Sequence, residues 1–155
     1  MWIKPLTTIH PAYQAYLDDI RHERLDRASA VREAARLTGV AIYDVGNTSF
    51  EDLNLTLCKL INTRLSNAPD QDGCMPSSVK HLVVGHAIGT GVNWRFLGGQ
   101  HVSSYVNANV PHGQAVWVLA CETGCERSFS FIEGREMISG ARQASTEIAE
   151  YKLQL

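Results

Sequence analysis

Three short apolar runs separated by helical patterns constrain this chain more than any other feature. They are Val40-Ala41-Ile42-Tyr43-Asp44-Val45 before Gly46-Asn47, Val79-Lys80-His81-Leu82-Val83-Val84 before Gly85-His86, and Ala115-Val116-Trp117-Val118-Leu119-Ala120 before Cys121. None alternates cleanly between apolar and polar residues, which is the pattern of strands covered on both faces of a parallel sheet. Between the first two runs, Ser49 is placed to cap a helix with Asp52 three residues on, and Leu53, Leu57, Leu60 and Ile61 form its apolar stripe. A polar loop from Asn67 to Ser78 follows. Between the second and third runs, Val102, Tyr105, Val106 and Val110 mark a short helix that Pro111 and Gly113 stop. Strands joined through helices run parallel with right-handed crossovers. The expected fold is therefore α/β, a three-layer α/β/α sandwich with a mainly parallel sheet.

Upstream, Tyr13, Tyr16, Leu17 and Ile20 fall at i, i+3, i+4 and i+7, and Leu25, Ala28, Val31 and Ala35 carry a similar stripe onward to Gly39. This predicts one long N-terminal helix packed across a face of the sheet and stopped by Gly39. The 155 residues fit a single domain, 1–155, with 1–38 as an N-terminal helical segment. After Cys125 the pattern weakens. Phe129 to Ile138 reads as helix, Tyr151, Leu153 and Leu155 alternate like a strand, and Ala141 to Ile148 fits either.

Charge and cysteine usage remove several function classes. Fourteen Lys+Arg against sixteen Asp+Glu give a net charge of −2. That lacks the basic excess of a nucleic-acid binder, so no nucleic-acid partner is expected. The longest apolar run, Ala115 to Cys121, falls far short of the roughly 20 residues that span a bilayer. The N-terminus, with one Lys and interrupted by Pro5 and Pro11, has no signal-peptide core. Four cysteines, Cys58, Cys74, Cys121 and Cys125, are too few for a disulfide scaffold. The expectation is a reduced, cytoplasmic protein with no membrane partner.

In an open parallel sheet the functional edge is where strands reach their carboxyl ends. There the second run leads into His86 and the third into Cys121, so one crossover brings a candidate base beside a candidate nucleophile. A thiol needs such a neighbour to become a thiolate, and imidazole is the usual choice. Gly85 and Gly89 let the chain around His86 turn tightly.

These residues also carry a resemblance. Val116 to Gly124, an apolar strand followed by Ala-Cys-Glu-Thr-Gly, resembles the nucleophile block of the CHAT family of caspase-like cysteine peptidases. Leu82-Val83-Val84-Gly85-His86 resembles the block ending in the catalytic His of the wider caspase-like group, and Gly140-Ala141-Arg142 is similar to the opening of the next CHAT strand. The resemblance covers about residues 79–142. It implies a caspase-like sheet and a cysteine endopeptidase with a His-Cys dyad, acting on a peptide or protein substrate. Cys121 would attack the scissile carbonyl, and His86 would act as base and then as acid toward the leaving amine. Backbone N–H groups of Ala87 and Cys121 would hold the oxyanion, with no metal or organic cofactor. Ala87 stands where the family has Gly, and it can still donate its N–H at negative φ. The chain is short for the family, which leaves pocket strands either absent or supplied by a protein partner.

Plainer readings stand beside these. A catalytically idle caspase-like module that binds a protein partner is the alternative, and a structural or zinc-binding protein is third. Cys121 and Cys125 have a ligand-like spacing that His86 or His112 would complete, but a second tight pair is missing. Gly89-Thr90-Gly91 and Gly98-Gly99 fit no phosphate-loop motif, and Trp94 and Phe96 between them read as a loop anchor. For substrate selection the acidic candidates are Asp44, ending the first run, and Glu122, next to Cys121. Asp44 either ties the Gly46-Asn47 turn through a backbone N–H or lies at a pocket floor that selects Arg or Lys.

Overall fold

The structure, a computed structural model, describes residues 10–66, 75, 77–89 and 93–119, together with the backbone of 137–138. The chain forms α1 (Pro11–Arg21), α2 (Arg27–Thr38), β1 (Ala41–Asp44), α3 (Phe50–Leu65), β2 (His81–Val84), β3 (Ala87–Ile88), β4 (Arg95–Phe96), α4 (Val102–Asn109), β5 (Val116–Leu119) and β6 (Met137–Ile138). The three apolar runs become β1, β2 and β5, which lie side by side and parallel. This is a mixed α/β fold. β6 pairs parallel on the far side of β5, in the order β1-β2-β5-β6.

Successive residues of a strand face opposite sides, and the register keeps like beside like. Ile42 aligns with Leu82 and Trp117, Tyr43 with Val83 and Val118, and Asp44 with Val84 and Leu119. Buried side chains therefore sort into two cores. Leu82, Val84, Trp117 and Leu119 pack with Tyr13, Tyr16, Ala30, Leu57 and Leu60, so α1, α2 and α3 cover one face. Val83, Val116 and Val118 pack with Val102, Val106, Trp94 and Phe96, so α4 and the β3–β4 hairpin cover the other. Burial on both sides removes the need for polar alternation, which explains the continuous apolar runs.

Two expectations are corrected. The long N-terminal helix is two helices. α1 ends at Arg21, Glu23 takes a positive φ of 54°, and Asp26 starts α2 afresh. The new start is a reciprocal cap: the Ser29 N–H donates to Asp26 Oδ1 at 2.8 Å, and the Asp26 N–H donates to Ser29 Oγ at 2.9 Å. That cap satisfies the orphan donors of a helix start, so the turn competes with continuation. The apolar stripe crosses the turn unbroken and hides it. Farther along, Met137–Ile138 is a strand rather than the end of a helix, because its backbone pairs with β5. Residues 129–136, 141–148 and 151–155 lie outside the described residues.

Gly39 caps α2 in the left-handed region, and Ser49 caps α3 by accepting from the Asp52 N–H at 3.1 Å. Among the described residues no helix is long and apolar enough to cross a membrane.

Candidate active site

Pairing continues past the carboxyl ends of the strands. Val45 donates its N–H to the Val84 carbonyl at 3.0 Å, and Gly85 donates to the Leu119 carbonyl at 3.2 Å. His86 comes next and is half-buried. Gly85 allows this lacing: a Cβ there would lie 3.0 Å from Val45 Cβ and 3.1 Å from Phe96 Cδ1. Gly89, at φ +78°, would set a Cβ 2.3 Å from the Asn93 carbonyl oxygen, so the chain leaving the site also requires glycine.

The main chain of His86 is held at both its N–H and its carbonyl. Its N–H donates to Asn47 Oδ1 at 2.8 Å, and its carbonyl accepts from Asn47 Nδ2 and from the Leu97 N–H, each at 2.9 Å. Asn47 Nδ2 also reaches the Leu97 carbonyl at 3.2 Å. Among the described residues nothing hydrogen-bonds the His86 imidazole. The sequence reading missed Asn47, treating it as half of a turn. Its signal was a side-chain amide immediately past the carboxyl end of a strand, where a neighbouring chain needs both a donor and an acceptor.

Ala87 pairs with Phe96 in the antiparallel hairpin. The Leu97 N–H to His86 carbonyl bond makes Ala87–Phe96 a non-hydrogen-bonded pair, so the Ala87 N–H points away from β4. Its φ is not positive, because Glu23 is the one non-glycine with positive φ among the described residues. An alanine here therefore presents its N–H without strain.

Asp44 lies at the same edge but is already engaged. Arg27 grips both carboxylate oxygens, with Nε to Oδ2 at 2.5 Å and Nη2 to Oδ1 at 2.8 Å. The Gly46 N–H donates to Oδ1 at 2.9 Å. Arg27 also donates to the Thr48 carbonyl at 2.7 Å and to Thr48 Oγ1 at 3.0 Å, fastening the start of α2 to the loop after β1.

Cys121, Glu122 and Cys125 lie outside the described residues, as does Cys74. Cys58 is a free, buried thiol on α3, and burial pushes its pKa up to about 12. Among the described residues no three His, Cys, Asp or Glu side chains gather as metal ligands. Trp94 and Phe96 are core residues, 1% and 2% exposed, and they root the hairpin in the second core. No family model matches the chain, nor does any curated protein or solved structure.

Proposed function

We propose that this chain is a cysteine endopeptidase of caspase-like type, on a three-layer α/β/α sandwich, cleaving peptide bonds with His86 and Cys121. The observation that carries the reading is the register of the two central strands. Val84 is the partner of Leu119, and His86 and Cys121 each follow those residues by two positions. Neighbouring strands lie about 4.8 Å apart, so a chain that carries this register two residues past Leu119 would bring the nucleophile out beside the base.

In this mechanism the His86 imidazole takes the Cys121 proton, and the thiolate adds to the scissile carbonyl carbon. The Ala87 N–H, with that of Cys121, stabilises the oxyanion. Collapse breaks the C–N bond, His86 returns the proton to the leaving amine, and a thioester remains. Water deprotonated by His86 then attacks the thioester, releasing a carboxylate and restoring the thiol. A cytoplasmic setting keeps the thiol reduced. With Asp44 committed to Arg27, Glu122 is the acidic group left to favour a basic residue before the scissile bond. Peptide-library profiling of Glu122→Gln tests that choice, and an unchanged preference would refute it.

The second reading, an idle module that binds a protein partner at this edge, draws on Ile88 and Leu97. Each is 46% exposed on the hairpin beside His86. A thiol-reactive affinity probe separates the two. Labelling that vanishes in Cys121→Ala and drops in His86→Ala supports the enzyme. Labelling spread evenly over Cys74, Cys121 and Cys125 in the unaltered protein sinks it.

A further inference from the structure

We infer that Asn47 is the positioning residue of this site: its side-chain amide fixes the main chain of His86, and thereby aims both the imidazole and the Ala87 N–H. The inference rests on the peptidase reading. It begins from a gap in the sheet. Parallel pairing between β1 and β2 continues to Val45 and Val84, and then β1 ceases to run alongside, because Gly46 turns the chain at φ +89°. The next backbone groups of β2, the N–H and carbonyl of His86, lose the strand that would have bonded them. Asn47 replaces it. Oδ1 accepts from the His86 N–H at 2.8 Å, and Nδ2 donates to the His86 carbonyl at 2.9 Å. The amide does with one side chain what a further strand residue would have done with its backbone.

Residue type follows from the count of partners. The position must offer one acceptor and two donors on one short planar group, because Nδ2 also donates to the Leu97 carbonyl at 3.2 Å. Asp has no donor when ionised, and Ser has one. The loop holds Asn47 ready from both sides. Gly46 before it is tied to Asp44, and Thr48 after it is tied to Arg27, which itself pairs with Asp44. Ordering is thus completed before any substrate arrives, which is what a site on a loop requires.

Two consequences bear on the chemistry. With the His86 N–H spent on Asn47, the adjacent donor that remains for an oxyanion is the Ala87 N–H, which the hairpin register turns away from β4. The His86 ring, free of hydrogen bonds among the described residues, takes its direction from a main chain that cannot swing.

The test uses the full chain, with Asn47→Asp, isosteric but lacking the donors, alongside Asn47→Ala. The probe is iodoacetamide, with alkylation of Cys121 followed by mass spectrometry across pH. In the unaltered protein the rate should rise with an apparent pKa below the roughly 8.5 of a free thiol, because His86 assists ionisation. In both variants the limb should move up toward that value, with the rate falling about tenfold below neutral pH. His86→Ala should show the same shift, and adding Asn47→Ala to it should change nothing further. Amide hydrogen exchange at His86 should quicken in Asn47→Ala, which loses the acceptor of that N–H, while Val83 in β2 stays protected. A variant that retains the unaltered pH profile overturns the inference, as does unchanged exchange at His86 in Asn47→Ala. If the unaltered protein already shows a free-thiol profile that His86→Ala does not move, the peptidase reading falls instead, and the exchange data report on the clamp alone. Should Asn47→Ala fail to fold, Asn47→Asp carries the measurement.

Discussion

Gly85 and the Arg27–Asp44 pair show how much the site depends on single residues. At Gly85 the missing side chain is the point, since a Cβ would press on Val45 Cβ and Cγ2 at 3.0 Å and on Phe96 at 3.1 Å. Gly85→Ala is expected to cost about 1–3 kcal/mol of stability through overpacking. Denaturant unfolding measures it, and a change within error would show that Val45 and Phe96 yield freely. Asp44 has its side chain 16% exposed and Arg27 31%, so removing either leaves a partly buried charge. Asp44→Ala also releases the Gly46 N–H, and a loss of about 1–3 kcal/mol is expected. Arg27→Ala should destabilise to a similar extent if the pair acts as a unit, and additive losses in the double variant would argue against that.

Each helix brings its own sensitivity. Gly39 ends α2 at φ +71° with nothing within 4 Å of a built Cβ, so Gly39→Ala tests backbone conformation without a clash. A cost of about 1–2 kcal/mol is expected from the left-handed penalty, read as a lower Tm. On α3, burial raises the Cys58 thiol to about 12, whereas in the unfolded chain it titrates near 8.5. The folded state holds that proton more tightly, so the contribution is whole below about pH 8.5 and is lost progressively as pH rises toward 12. Stability should fall on the alkaline side, and Cys58→Val should flatten the fall. Tyr16, raised by burial on α1, acts in the same direction. These elements were unequally legible. α3 and α4 announced themselves through one helical periodicity each, and the three central strands through continuous apolar runs bounded by turn residues. The break between α1 and α2 did not, since its signal is two side chains, Asp26 and Ser29, beneath a continuous stripe. The β3–β4 hairpin was hidden for a different reason. Its strands have two residues each, too short for any period, and the pairing of Ala87 with Phe96 and Ile88 with Arg95 reveals them.

The parallel order β1-β2-β5 was foreseeable at the scale of the molecule because helices lie between the strands and short parallel links are sterically closed. His86 at the carboxyl edge followed from that order, whereas Asn47 did not. A hydrogen bond between residues 39 positions apart depends on where two loops meet, and no local pattern encodes that. The division of the interior into two cores has a further consequence, for how the chain comes into being. The core under α1, α2 and α3 draws on residues from Tyr13 to Val84 and is completed by Trp117 and Leu119. Among the described residues the core under α4 has nothing before Tyr43, and it depends on Val116 and Val118. Chains emerge from the ribosome amino end first, and the first core has most of its members in hand once β2 has appeared. The face carrying the hairpin and Ala87 must wait for β5. A nascent chain halted before residue 116 would therefore leave the hairpin and Ala87 without the Val116 and Val118 side chains they pack against, and this edge of the sheet would take shape only once β5 has been made.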